Sequence, residues 1–159
     1  MDPSQQIADY GADAIRFYAR MAKLDYENEV REEFVSSWIA RKLFENDGLT
    51  VHVEREYTRI IRDLKNEVTS TDISSMGGWR ADIAIYGPDG SPLSIIEVKI
   101  CDEGDRGGTA VLRDREKINV LSKRVKIDTY LAILLTDIND TNKCADRRQC
   151  LEKKLPGSF

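Results

Sequence analysis

Residues 80–100 carry an apolar pattern that reads as two strands joined by a tight turn, a β-hairpin. Asp82, Ala84 and Tyr86 alternate with Ala81, Ile83 and Ile85, a period of two, and Leu93 to Ile100 supplies a second run rich in isoleucine and valine. Between them, Pro88 presets one turn dihedral and Gly90 permits a positive one, so Gly87 to Gly90 reads as a tight turn. Strand side chains point alternately to opposite faces, which puts Glu97 and Lys99 on one side and Ile96 and Val98 on the other. Antiparallel closure over the turn brings Asp82 to the end of the second strand, near Glu97 and Lys99. Two carboxylates and an ammonium thereby converge on a strand that is otherwise buried in character.

Charge inside an apolar strand is costly without a counterion or a metal. Two carboxylates suit Mg²⁺ or Mn²⁺; Mg²⁺ takes one or two protein carboxylates and completes its shell with water and substrate phosphate. Lys99, expected near solvent, would orient or deprotonate an attacking water and offset transition-state charge. The plainer alternative is a surface ion pair of Glu97 with Lys99, with Asp82 ending a strand; such pairs are worth little.

Asp82, fifteen positions before Glu97-Val-Lys99, resembles the PD-(D/E)xK signature of the restriction-endonuclease-like nucleases, with Ala81 where the proline usually stands. From about Glu27 to Asp137 the layout is similar to the N-terminal nuclease domain of type I restriction enzyme motor subunits. The resemblance implies an α/β sandwich, a mixed four-stranded sheet flanked by helices, extended here by N- and C-terminal helices. It implies metal held by Asp82, Glu97 and the Val98 carbonyl, water activated by Lys99, and hydrolysis of a phosphodiester in nucleic acid, DNA before RNA. The resembled first core helix carries an acidic residue four before an arginine. Glu27 matches with Arg31, and Glu29 is the second choice. Asp114 and Lys117 stand where these families place an Asp-x-x-Lys facing the site.

The residues around this centre fill in the sheet and its cover. An amphipathic helix is expected from about Gln5 to Lys23, as a lid or packing helix. A second, from about Asp25 to Asn46, shows Val30, Phe34, Trp38 and Ile39 as its buried stripe. That stripe aims Glu27 at the core and leaves Glu32 on the opposite face. Leu49 to Ile61 reads as a half-exposed strand with His52 on its polar side, and Arg62 to Gly78 as a long loop. After an acidic, glycine-rich connection, a helix from about Thr109 to Lys126 buries Val111, Ile118, Leu121 and Val125. Its basic side includes Arg113, Lys117, Lys123 and Arg124; with Arg80 these are the candidate nucleic-acid contacts. Thr129 to Thr136 reads as a strand buried on both faces in mid-sheet, followed by a polar helix from Asp140 to Leu155.

At 159 residues with 41% hydrophobic content, the chain is expected to form a single domain with its core at about 25–137. The formal charge of −4 excludes general nucleic-acid affinity through bulk charge, so any such contact must be local. Cys101, Cys144 and Cys150 make no disulfide framework, and with His52 alone they make no zinc set. Lack of a long apolar run predicts no membrane partner and a cytoplasmic location. Two functions stay open: a metal-dependent endonuclease, or a catalytically inactive nuclease-fold module that binds a protein partner. A homodimer is compatible with either.

Overall fold

The computed structural model describes residues 3–22, 30–101, 108–136 and 141–154. Four strands form one mixed sheet in the order β1-β2-β3-β4: β1 (Thr50–Glu56), β2 (Arg80–Tyr86), β3 (Pro92–Cys101) and β4 (Asp128–Leu135). The first three are antiparallel neighbours, and β4 runs parallel to β3. A parallel neighbour requires a crossover, supplied by α5 (Thr109–Arg124). The α/β sandwich with a mixed four-stranded sheet is thus present.

Helices cover both faces. On one, α1 (Pro3–Ala22) and α2 (Glu32–Asp47) pack Ile7, Ala14, Val35, Ile39 and Leu43 against Ile83, Ile96, Val98 and Leu134. On the other, α3 (Tyr57–Asp63), α4 (Ser70–Met76) and α5 pack Ile60, Ile61, Met76 and Leu121 against Ala84 and Ile95. Helix α6 (Thr141–Lys154) adds Leu151 to a small cluster with Cys101 and Val111. Helix α1 lies close on β4, where a Cβ added at Gly11 would come within 2.9 Å of Leu134. None of the described helices is long and apolar enough to cross a membrane.

The hairpin closes as expected, with the Gly90 amide donating to the Gly87 carbonyl and Gly90 at φ +77°. Three sequence expectations require correction. The first strand stops at Glu56, and Tyr57 opens a helix, because Tyr57, Ile60 and Ile61 recur at helical spacing and bury completely. The expected loop at 62–78 contains α4, started by a reciprocal capping box between Thr69 and Asp72. Strand β4 is an edge strand rather than a central one: α1 covers one face and α5 and α6 the other, which accounts for its apolar run.

Candidate active site

Beyond the Ile83–Ile96 pair the β2–β3 ladder ends, and Asp82 takes over as acceptor: its Oδ2 receives the Val98 amide at 2.6 Å. On the other flank, β1–β2 pairing passes from Val53–Ile83 to Arg55–Ala81, interrupted at Glu54, whose φ of +53° is left-handed. A non-glycine residue held there is strained by about 1–2 kcal/mol, and such strain gathers at functional sites. Asp82 therefore sits where the sheet opens.

Glu97, 1% exposed, accepts a 2.5 Å hydrogen bond from the Tyr57 hydroxyl. Tyr57 reaches it because α3 replaces the expected end of β1 and lays its first residue under β3. Lys99 is 18% exposed, contrary to its expected place near solvent, and its Nζ lies 2.9 Å from Glu32 Oε2 and 3.6 Å from Asp114 Oδ2. Lys117 Nζ lies 2.6 Å from Asp114 Oδ1. Four carboxyl groups and two ammonium groups thus gather at the C-terminal end of β3 from both helical layers. Neither Asp82 nor Glu97 has an ion pair among the described residues.

The electrostatics follow from that shortage of cations. Burial pushes Glu97 up to about 8, with the Asp82 charge adding to it against the Tyr57 bond. Burial likewise pushes Asp82 up to about 6, opposed by the Val98 amide and reinforced by Glu54, Asp114 and Glu32. Burial alone would lower Lys99, but the Glu32 bond and the surrounding carboxylates outweigh it and hold the ammonium above its usual range. Lys117 behaves the same way, with Asp114 outweighing its burial. Tyr57 is raised well above the ordinary phenol by burial and the Glu97 charge, so it stays a donor.

Of the expected site residues, the structure brings together Asp82, Glu97, Lys99, Asp114 and Lys117, with Val98 contributing its amide to Asp82. Glu27 and Glu29 lie outside the described residues. Glu32 corrects the expectation for its helix: it is not on the opposite face but at the site, also accepting the Ile100 amide at 3.3 Å. The buried stripe of α2 is Val35, Ile39 and Leu43, and Glu32 continues it one turn earlier; Phe34 and Trp38 instead meet Phe17 and Tyr18 of α1. Taking the largest apolar residues as the core stripe turns the helix by about a hundred degrees.

The candidate nucleic-acid contacts scatter. Arg113 and Lys123 are exposed on α5. Arg80 faces Glu56 at 3.5 Å. Arg124 is anchored to Asp72 at 2.9 Å and to the Glu67 carbonyl, so it ties α5 to α4. His52 packs its ring edge-on against Tyr86.

Comparison with known proteins gives no match: no family model, curated protein or solved structure resembles the chain closely enough to register. Among the described residues no group of three or more His, Cys, Asp or Glu side chains is gathered as a metal site. Mg²⁺ needs only one or two protein carboxylates, and Asp82 and Glu97 are a pair of carboxyls without an ion pair among the described residues; a hard divalent cation fits that donor set.

Proposed function

We propose that this chain is a metal-dependent nuclease with a restriction-endonuclease-like fold, hydrolysing phosphodiester bonds in nucleic acid, DNA before RNA. The observation that carries the reading is the Asp82–Glu97 pair: two carboxyl groups at the opened end of a hairpin, raised by burial and without an ion pair among the described residues, while the two lysines beside them are bonded to Glu32 and Asp114. With no ion pair the buried Glu97 keeps its proton through neutral pH, and a divalent cation bound between the two carboxyls would displace it.

Asp82 and Glu97 would hold Mg²⁺ or Mn²⁺, which supplies Lewis acidity and a bound water of lowered pKa. Tyr57 fixes the Glu97 carboxyl, and the Val98 amide fixes that of Asp82, so both are oriented before any cation arrives. Lys99, held as an ammonium by Glu32 and Asp114, is suited to orienting the attacking water and balancing charge on the phosphorane, more than to removing a proton. Glu32 takes the part expected of a helix carboxylate, through Lys99.

The test is nicking of supercoiled DNA, with RNA in parallel, in Mg²⁺ or Mn²⁺ and in chelator. Metal-dependent cleavage lost in Asp82→Asn is expected. Absence of cleavage on both substrates would transfer the reading to the inactive binding module.

A further inference from the structure

A second charged feature lies beside this site. An open depression of about 370 Å³ is lined by Glu54, Arg55, Glu56, Arg59, Arg62 and Arg80. The four guanidinium groups come from three elements: Arg55 from β1, Arg59 and Arg62 one turn apart on α3, and Arg80 from the start of β2. Asp63 stands behind two of them, 2.6 Å from Arg55 and 2.9 Å from Arg59, and accepts the Tyr86 hydroxyl at 2.7 Å. Arg55 also donates Nε to Tyr86, so it is held on two sides. One carboxylate thus orients two guanidiniums without cancelling both. Arg62 is exposed and has no ion pair among the described residues. Arg80 is exposed as well, and its 3.5 Å approach to Glu56 is a loose surface pair worth little.

The depression adjoins the carboxylates. Arg80 is two residues before Asp82 on one strand, about 7 Å along it, and Glu54 on the rim is the residue at which pairing with Asp82 fails. In a chain with net charge −4, four arginines around one concavity are a local exception. Guanidinium forks match phosphate geometry in two-point contacts.

We infer that this depression is the track for the nucleic-acid backbone: Arg59, Arg62 and Arg80 bind phosphates next to the one positioned at Asp82 and Glu97, and the exposed basic side of α5 is not the binding face. The inference rests on the nuclease reading for its substrate, while binding without metal can be measured apart from cleavage.

The experiment titrates the full chain, in chelator, against fluorescein-labelled duplex DNA, single-stranded DNA and RNA at about 50 and 200 mM salt, the range over which phosphate contacts show their salt dependence. Arg59→Gln/Arg62→Gln is compared with Arg113→Gln/Lys123→Gln, with Arg62→Gln alone as the variant that disturbs no ion pair among the described residues. The α3 double variant is expected to lose about tenfold or more in affinity and to flatten the salt slope by about 1.8, or 0.9 per phosphate contact, and Arg62→Gln to flatten it by half of that. The α5 variant should leave both unchanged. Asp82→Asn should abolish cleavage and keep affinity, so failure of the catalytic reading is separable from failure of the track. An unchanged slope in both α3 variants, a larger loss in the α5 variant, or an oligo-glutamate peptide bound as tightly as DNA would overturn the inference.

Discussion

Two groups of acids in this protein have opposite fates. Asp63 and Asp72 each receive an arginine. Burial pushes Asp63 up, yet Arg55, Tyr86 and Arg59 together hold it below the ordinary carboxylate range. Asp72 is held low by the Thr69 amide and by Arg124. Asp82 and Glu97, in the same sheet-and-helix surroundings, are raised instead. The first pair shows that this chain can place guanidinium groups on its inward-facing acids. The second pair is left without them, and that contrast is what the proposed divalent cation would account for.

The sharpest way to break that contrast is to remove the cation that stands beside the second group, bonded to Glu32 and Asp114. Lys99→Ala should lower cleavage by on the order of a hundred- to a thousandfold, the size of one lost electrostatic contact to a transition state. Because Lys99 is half-buried between Glu32 and Asp114, the variant should also melt lower without metal, the loss shrinking when Mg²⁺ is added. Cleavage equal to the parent's, measured on supercoiled DNA, would take Lys99 out of the reaction.

The next test uses pH. In the folded protein Glu97 titrates near 8, against about 4.5 for an ordinary glutamate, so the folded state holds a proton that the unfolded chain releases. That contribution is fully present below about pH 4.5 and is lost as pH rises through 8; Asp82, at about 6, adds to the same decline. Stability without metal should therefore fall between about pH 5 and pH 8, by an amount on the order of a few kcal/mol. Glu97→Gln should melt several degrees above the parent at about pH 8 and close to it at about pH 5. A parallel pH profile in the two proteins would refute an uncompensated Glu97.

What is legible in the sequence divides along the same line. The hairpin, its turn, the α5 stripe and the meeting of Asp82, Glu97 and Lys99 follow from a period of two or of 3.6, and these are local properties. Tyr57 escapes such a reading because its role depends on α3 starting one residue after β1 ends, and Arg55 to Tyr57 reads equally well as a continued strand. Glu32 falls on the wrong face in a sequence reading because α2 has two apolar flanks, one on the sheet and one on α1. The aromatic side chains of the α1 flank mimic a core stripe. The stretch from Thr69 to Asp72 does carry a signal, a Thr with an Asp three residues on, which marks a helix start. Arg124 reads as a nucleic-acid contact because its partner Asp72 is 52 residues away.

Glu32 offers a smaller effect. Glu32→Gln breaks a charge-assisted bond to Lys99, worth about 1.5 kcal/mol, and should slow cleavage about tenfold. Glu33→Gln, one residue on and exposed, should leave the rate unchanged. Equal rates for the two variants would return that role to the sequence candidates Glu27 or Glu29.

The smallest effect tests the satisfied group. Arg124→Ala removes the guanidinium that bridges Asp72 and the Glu67 carbonyl, leaving a buried carboxylate with Thr69 alone. The melting temperature should drop by a few degrees, since loss of one partner from a buried pair is felt where loss of an exposed pair is not. Arg41→Ala, which breaks the exposed Arg41–Glu45 pair at 2.7 Å on α2, serves as the control and should change melting by less than about 2 °C. Affinity of Arg124→Ala for DNA should stay at the parent's value, because its guanidinium is spent on α4 rather than offered to a phosphate. A weakened, less salt-dependent complex at unchanged melting temperature would mean the reverse: that Arg124 leaves Asp72 for the nucleic acid, and that the line between cations spent on folding and cations offered to substrate does not hold on α5.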